Sequence, residues 1–242
     1  MTSKVFDKRN LAVVVMAATA LWLASAASWA QAPATPTPPA APRQPGPGPS
    51  KAPYEVTGFR SARFGMDEAQ LKAAIQSDFQ VKAEDIKPTV NAMERTTALI
   101  VTLPSLDPGP GPASVVYILG YKTKKLIQVN LVWTQPGEPG KSDGGPYLVA
   151  GVQLANYFNG FTWRDGKVTL TAPAGNNRLL VFGAEDSKTG SVQVVVDGVA
   201  FQRKPDGQLE TTPQANANVT LRVAYIANLA TPDVFKLEPG RF

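Results

Sequence analysis

The segment Ala113–Trp133, ASVVYILGYKTKKLIQVNLVW, decides the fold because its residues favour two β-strands joined by a tight turn. Two runs, Ala113–Tyr121 and Leu126–Trp133, are rich in the Val, Ile, Leu and Tyr residues typical of strands. The polar residues Lys122–Lys125 separate them, which predicts a hairpin. A third run of the same character, Thr97–Leu103, precedes this hairpin, so the sequence predicts an antiparallel sheet here.

A helix is predicted before these strands, over Met66–Phe79. Its apolar residues recur at three- and four-residue spacing on one face: Leu71, Ala74, Ile75 and Phe79. Carboxylates occupy the first turn, at Asp67 and Glu68, where the helix dipole favours negative charge. Lys87–Met93 is a weaker strand candidate, because Pro88 has no N–H and is tolerated only at a sheet edge or a strand start.

The second half of the chain repeats this order of helix and strands. Pro146 is well placed to begin a helix that runs to about Tyr157. Further strands are predicted at Lys167–Ala172, Arg178–Gly183, Ser191–Arg203 and Asn218–Asn228. A helix followed by hairpin-linked strands, repeated once, predicts an α+β fold of two tandem helix-plus-antiparallel-sheet modules, each with one helix across a face.

The first thirty residues have the order of a secretory signal peptide. Basic residues at Lys4, Lys8 and Arg9 precede the apolar run Leu11–Leu23, and small residues follow to Ala30. We expect cleavage after Ala30 and a periplasmic or secreted bacterial protein. The alternative is an N-terminal membrane anchor, because the apolar stretch is long enough to span a bilayer if the signal is uncleaved.

The predicted domain boundaries follow from the composition of the chain. Pro- and Ala-rich residues without apolar periodicity predict a disordered tether, and a second Pro/Gly-rich stretch separates the two modules. The predicted organisation is a signal peptide (1–30), a disordered linker (31–53), a first α+β module (54–136), a linker (137–145), a second α+β module (146–230) and a C-terminal tail (231–242).

The residue types exclude several chemistries. The chain contains no His and no Cys, which removes Ser–His and Cys–His nucleophiles, imidazole metal sites and disulfides. A lipid anchor attached to a cysteine after the signal is excluded as well. Loss of residues 1–30 lowers the formal charge from +5 to +3. A nucleic-acid-binding face requires a stripe of basic residues with interleaved aromatics, and the sequence shows no such stripe. We therefore expect no catalytic residue, metal or cofactor.

One segment imitates a nucleotide-binding loop. Gly137–Ser142, GEPGKS, ends in Gly-Lys-Ser between a predicted strand and a predicted helix. A P-loop has four residues between its glycines, whereas this segment has two, and one of them is a proline without an N–H. The segment is interpreted as a linker.

Aromatic residues at the end of the second helix are the candidate ligand or partner surface. Tyr157, Phe161 and Trp163, together with Phe158, are close in sequence and would form a platform for a sugar or peptide if exposed. The alternative is that they pack into the core, as aromatics at a helix end commonly do. Exposed edge strands are a further candidate surface, because they can pair with a strand of a partner.

A short resemblance bears on function. Residues Phe64–Leu71, FGMDEAQL, resemble the helix start of BamE-type outer-membrane-assembly lipoproteins, and the doubled helix-and-sheet order is similar to the β-lactamase inhibitor protein family. The chain departs from the first family in lacking the lipid-bearing cysteine, and its second half has Gly145-Pro146 in place of Gly-Met. The resemblance implies protein–protein binding in the envelope. We therefore expect a non-enzymatic protein that binds another envelope protein as an assembly factor, scaffold or inhibitor, or alternatively a small-ligand or glycan-binding module.

Overall fold

The computed structural model describes residues 51–135, 144–207, 209–214, 217–237 and 240. The predicted signal peptide, most of the predicted N-terminal linker and the segment Gly137–Ser142 lie outside the described residues. Within them, the chain forms two α-helices, α1 (Glu68–Phe79) and α2 (Gly145–Asn159), and a short 3-10 helix, Ala83–Asp85. It also forms twelve strands: β1 (Gly58–Phe59), β2 (Ala62–Arg63), β3 (Lys87–Asn91), β4 (Thr96–Leu103), β5 (Ala113–Leu119), β6 (Leu126–Thr134), β7 (Val168–Pro173), β8 (Arg178–Glu185), β9 (Ser191–Asp197), β10 (Val199–Arg203), β11 (Leu209–Pro213) and β12 (Thr220–Ile226).

Eight of these strands form one antiparallel sheet in the order β3-β4-β5-β6-β12-β9-β8-β7. The central contact is between β6 and β12, which pair without a break from Thr220 opposite Thr134 to Ile226 opposite Gln128. The prediction of two tandem α+β modules is therefore wrong: the protein is mostly β, with one large sheet and two small ones. The sequence pattern located the strands, but strand pairing across the midpoint of the chain is not encoded in local periodicity.

One face of the sheet is covered and holds the core. The register places Leu99, Tyr117, Val129, Tyr225 and Val192 side by side across five strands. All five are buried in a single hydrophobic cluster that also contains residues of both helices. Helix α2 packs on β8, β9 and β12. We call this the covered face.

Both predicted helices are confirmed, with small shifts of their ends. Asp67 is the N-cap of α1: its carboxylate accepts from the Gln70 N–H at 3.0 Å, and the Gln70 side chain accepts from the Asp67 N–H at 3.1 Å. This reciprocal pair satisfies two of the free N–H groups at the helix start. The other helix, α2, carries Pro146 in its first turn, where the missing N–H removes no helical bond.

The predicted strands are present, except that one of them is divided into two. The run Ser191–Arg203 divides into β9 and β10 at Gly198, which has φ +76° and whose Cβ would lie 2.3 Å from the Asn218 carbonyl oxygen. Only glycine fits this close approach, so the chain leaves the large sheet here. The β10–β11 hairpin then stands apart as a two-stranded sheet. Strands β1, β2 and β11 were not predicted, since they are short or carry mixed polar residues.

A buried carboxylate holds the N-terminal segment against the sheet. Asp186, 2% exposed in the β8–β9 turn, accepts hydrogen bonds from the backbone N–H groups of Val56, Lys188 and Gly190, each at 2.8 Å. The bond from Val56 joins segments 130 residues apart. Charge-assisted bonds of this kind are stronger than neutral ones.

We predict that Asp186→Ala lowers the free energy of unfolding by about 2–4 kcal/mol, because it leaves buried N–H groups without an acceptor. Urea denaturation measures the change. Asp165→Ala, at an exposed turn position, is the matched control and should change stability by less than about 0.5 kcal/mol. Equal effects of the two substitutions would contradict the role assigned to Asp186.

The C-terminal segment is held by a second carboxylate, at the β5–β6 turn. Asp233 accepts from the Lys122 N–H at 3.0 Å, from the Thr123 N–H at 2.9 Å and from the Thr123 hydroxyl at 2.6 Å. Partial burial acts to raise the pKa of Asp233, but these hydrogen bonds outweigh it and hold the pKa below its ordinary value. Phe235 also stacks beneath the Arg95 guanidinium, 3.7 Å from the ring centre.

Because the pKa of Asp233 is lower in the folded than in the unfolded protein, its stabilisation is present above the ordinary value of 3.8 and is lost as the pH falls below it. We predict that Asp233→Asn reduces stability at pH 6 and that the difference between the two proteins narrows as the pH falls below 3.8. Urea denaturation at a series of pH values from 6 downward tests this. A difference that does not change with pH would contradict it.

Candidate functional site

The aromatic residues predicted as a ligand surface belong mostly to the core. Trp163 is 8% exposed and donates its indole N–H to the Phe158 carbonyl at 2.8 Å, and Phe158 is fully buried. Phe161 is half-buried, and Tyr157, at 58% exposed, is the one member that projects into solvent. The rings of Tyr157 and Phe161 meet edge to face at 5.2 Å. The structure therefore brings these residues together but leaves no flat exposed platform.

Tyr54 completes this cluster from the N-terminal segment, with its ring 4.9 Å from that of Trp163. Burial, and to a lesser degree the neighbouring Tyr157, raises the pKa of Tyr54 to about 12. A phenol with this pKa stays protonated at neutral pH and serves packing rather than proton transfer. In the described part of the chain, no group of three acidic side chains lies close enough to hold a metal ion.

An apolar cleft of about 430 Å³ lies between α2, the β7–β8 edge and the β10–β11 hairpin. It is lined by uncharged side chains: Leu148, Val149, Val152, Gln153, Thr171, Leu179, Val181, Leu209 and Thr211. Two of them, Val149 and Val152, are more than half exposed on α2.

The helices also bear on membrane insertion. With 15 residues α2 is short, and neither helix of the described residues is long and apolar enough to cross a membrane.

The second face of the large sheet carries a different set of side chains. Its middle row runs through Ile100, Val116, Asn130, Ala224 and Gln193 on five adjacent strands. None of these residues belongs to the hydrophobic cluster of the covered face. Four of the five, all but Ala224, are half-exposed. Along β5 and β6, such half-exposed residues alternate with the buried residues of the covered face. We call this surface the open face.

Two flanking rows extend the open face along the strands. On one side lie Ala98, Ile118, Gln128 and Ile226, and on the other lie Ser114, Val132, Arg222, Val195 and Leu180. The face thus combines branched aliphatic side chains with amides and one arginine. No aromatic residue occurs in these three rows, which therefore offer no ring on which a sugar would stack.

Arg222 is the unusual residue of the open face. It lies on the central strand β12, between Val132 of β6 and Val195 of β9, and it is half-buried. Its Nε is buried and has no hydrogen-bond partner among the described residues. A buried donor without an acceptor is unfavourable by roughly 1–3 kcal/mol and is rare in folded proteins.

The nearest acidic side chain on the same face is already paired. Asp197 of β9 lies opposite Thr220, two residues along β12 from Arg222. Its carboxylate contacts the Nε of Arg178 at 2.5 Å, across the β8–β9 pair. Asp197 therefore neutralises Arg178, and the charge of Arg222 is left without a carboxylate within the described residues.

Sequence reasoning did not single out Arg222, although a signal was present. In a strand exposed on one face, residues alternate between core and solvent. In the sequence, Gln128–Leu131 follows this alternation, which indicates one uncovered face, whereas Val115–Leu119 is apolar throughout although its burial alternates in the structure. Arg222 occupies an open-face position of the segment Leu221–Ile226. Only the strand order shows that this segment, β12, lies at the middle of the sheet.

Comparison with known proteins gives no match: no family model, no curated protein and no solved structure is significantly similar to the chain.

We predict that Arg222→Met raises the free energy of unfolding by about 0.5–1.5 kcal/mol, since methionine covers the same surface without a buried N–H donor that lacks an acceptor. Chemical denaturation measures the change. Arg178→Met is the matched control: it breaks the contact with Asp197 and should leave stability unchanged or lower it by up to about 1 kcal/mol. Loss of stability in Arg222→Met would indicate that the arginine has a structural partner.

Proposed function

We propose that this protein is exported, is not an enzyme, and binds another envelope protein on the open face of its eight-stranded sheet. The observation that carries the proposal is the half-buried, unpaired Arg222 among half-exposed aliphatic and amide side chains. Arginine is enriched among the residues that dominate protein interfaces, whereas an unpaired arginine adds nothing to the stability of a free protein.

The size of the open face supports a protein partner. Eight strands spaced by about 4.8 Å span about 34 Å, and seven residues of strand extend about 23 Å. The resulting surface of roughly 800 Å² is what each partner buries in a protein complex of standard size. Its composition is also suitable, because aliphatic side chains lie at the centre together with a few groups able to form hydrogen bonds.

The cellular location is part of the same proposal and rests on the sequence. The basic, apolar and small-residue order of residues 1–30 supports export to the periplasm or the medium. An exported protein without nucleotide motifs, His or Cys is more readily understood as a binding protein than as a catalyst. The partner is then another protein of the envelope.

A second candidate function is binding of a small apolar ligand, favoured by the cleft beside α2. Its lining contains no charged residue and few polar groups, which suits a hydrocarbon-like ligand better than a glycan. A ligand in this cleft would raise the melting temperature of the purified protein, whereas a partner on the open face would be found as a second polypeptide.

We predict that Val116→Asp weakens partner binding at least tenfold, because it places an unpaired carboxylate in the aliphatic part of the open face. The measurement is affinity capture from an envelope extract of the source organism, followed by titration of the captured protein.

Val152→Asp is the matched control: it makes the same change at a valine that is 52% exposed on α2, away from the open face. Circular dichroism and melting temperature establish that both variants fold. Retention of the partner by Val116→Asp, or its loss from both variants alike, would contradict docking on the open face.

A further inference from the structure

We infer that the apolar cleft beside α2 is a binding site for a free amphiphile with one hydrocarbon chain and an uncharged head, such as a long-chain alcohol or monoester. The inference rests on the second of the proposed functions, whose site it shares, and it is independent of docking on the open face. It follows from a distortion of the sheet edge at the cleft, from the burial of the cleft's floor and from the chemistry of its rim.

The β7–β8 edge of the sheet is distorted where it lines the cleft. Thr171 of β7 and Val181 of β8 have no partner in the ladder, although the residues on either side of each are paired. The register between β8 and β9 also shifts at Val181. Irregularities of this kind redirect side chains and are common next to functional sites. Here both of the unpaired residues line the cleft.

The distortion includes a strained residue. Thr171 has φ +47°, a left-handed conformation that is rare for a β-branched side chain. Such strain persists only where the surrounding structure imposes it, and it is concentrated at ligand-binding and catalytic sites. The strained residue and the cleft therefore coincide, and two independent observations indicate a site at this edge of the sheet.

The floor of the cleft is apolar and buried. Leu179 and Val181, which are 4% and 6% exposed, form it, while half-buried Leu148 and Leu209 belong to the walls supplied by α2 and the β10–β11 hairpin. The volume of about 430 Å³ lies near the lower end of the range typical of ligand pockets. This size suits one hydrocarbon chain better than a lipid with two.

The polar groups of the lining are uncharged. Gln153 and Thr171 are exposed and Thr211 is half-exposed, so these three side chains lie towards solvent, away from the buried floor. Amides and hydroxyls both donate and accept hydrogen bonds, which matches an alcohol or an ester. No charged residue lines the cleft to pair with a carboxylate, a phosphate or an ammonium group, and a charge without a partner is unfavourable beside an apolar surface.

Calorimetric titration of the purified protein with n-hexanol, n-octanol and n-decanol tests the inference. We expect saturable binding of one alcohol per protein, with an affinity that rises about fourfold for each methylene added, because each one leaves water for the apolar cleft. Binding of n-decanol should also have a negative heat-capacity change, the marker of apolar burial. Sodium decanoate and decyltrimethylammonium chloride should bind at least threefold more weakly than n-decanol.

A variant locates the binding in the cleft. Val152→Asp places a carboxylate in the lining and should weaken n-decanol binding at least tenfold. Val90→Asp is the matched control: it makes the same change at a valine that is 68% exposed on β3 and does not line the cleft, and it should bind n-decanol as the wild-type protein does. Circular dichroism establishes that both variants fold, and the wild-type series stands by itself if Val152→Asp does not.

Several results would overturn the inference. An absence of saturable binding, an affinity that does not depend on chain length, or full retention of n-decanol by folded Val152→Asp would refute a hydrocarbon site in the cleft. Co-sedimentation of the protein with phosphatidylcholine vesicles, if Val152→Asp abolishes it, would assign the chain to a membrane lipid and refute the free amphiphile.

The proposals fail separately. If n-decanol does not bind while Val116→Asp still abolishes partner capture, the cleft is refuted and docking on the open face stands. If n-decanol binds as expected while Val116→Asp retains the partner, docking on the open face is refuted and the cleft stands. If a charged amphiphile binds more tightly than n-decanol and Val152→Asp abolishes that binding, the cleft still holds an apolar ligand but the uncharged head is refuted.

Discussion

The pairing of β6 with β12 is the interaction on which the rest of the structure depends. These strands end the two halves of the chain, and their pairing over seven residues turns two four-stranded groups into a single sheet. Because side chains alternate along a strand, this register also aligns the faces of the two groups. A slip of one residue would place Leu221, Val223 and Tyr225 on the open face and Arg222 in the core.

Both helices lie on the covered face, so the core is one layer of helices against one sheet. Among the described residues no helix covers the open face, so its side chains have to be compatible with water. Half-exposed Ile and Val residues alternate there with Asn130, Gln128 and Gln193. The sheet edges are also protected. Pro88 gives the edge strand β3 a position without an N–H, and Thr171 in the other edge strand, β7, has a left-handed φ of +47°; both disturb regular pairing with another chain.

The sequence predicted the elements well and their assembly poorly, for a physical reason. Helix and strand periodicities are local, so Met66–Phe79 and Leu126–Trp133 were located to within two residues of α1 and β6. The β6–β12 contact joins residues about ninety positions apart and leaves no local trace. The same limit applies to function. Tyr157 and Trp163 were identified by composition, but their exposure differs, and Arg222 gained its meaning only from the strands beside it.

A single arginine at the middle of an uncovered sheet also bears on specificity. A face of aliphatic side chains alone would associate with any apolar surface, including the same face of a second copy. Two copies stacked centre to centre would bring two Arg222 side chains together, each without a carboxylate, and like charges brought out of water are unfavourable. A partner that supplies an anionic oxygen removes this penalty, whereas an apolar competitor buries the guanidinium unpaired. The residue that we expect to lower the stability of the free protein would thus also restrict what the proposed docking face binds.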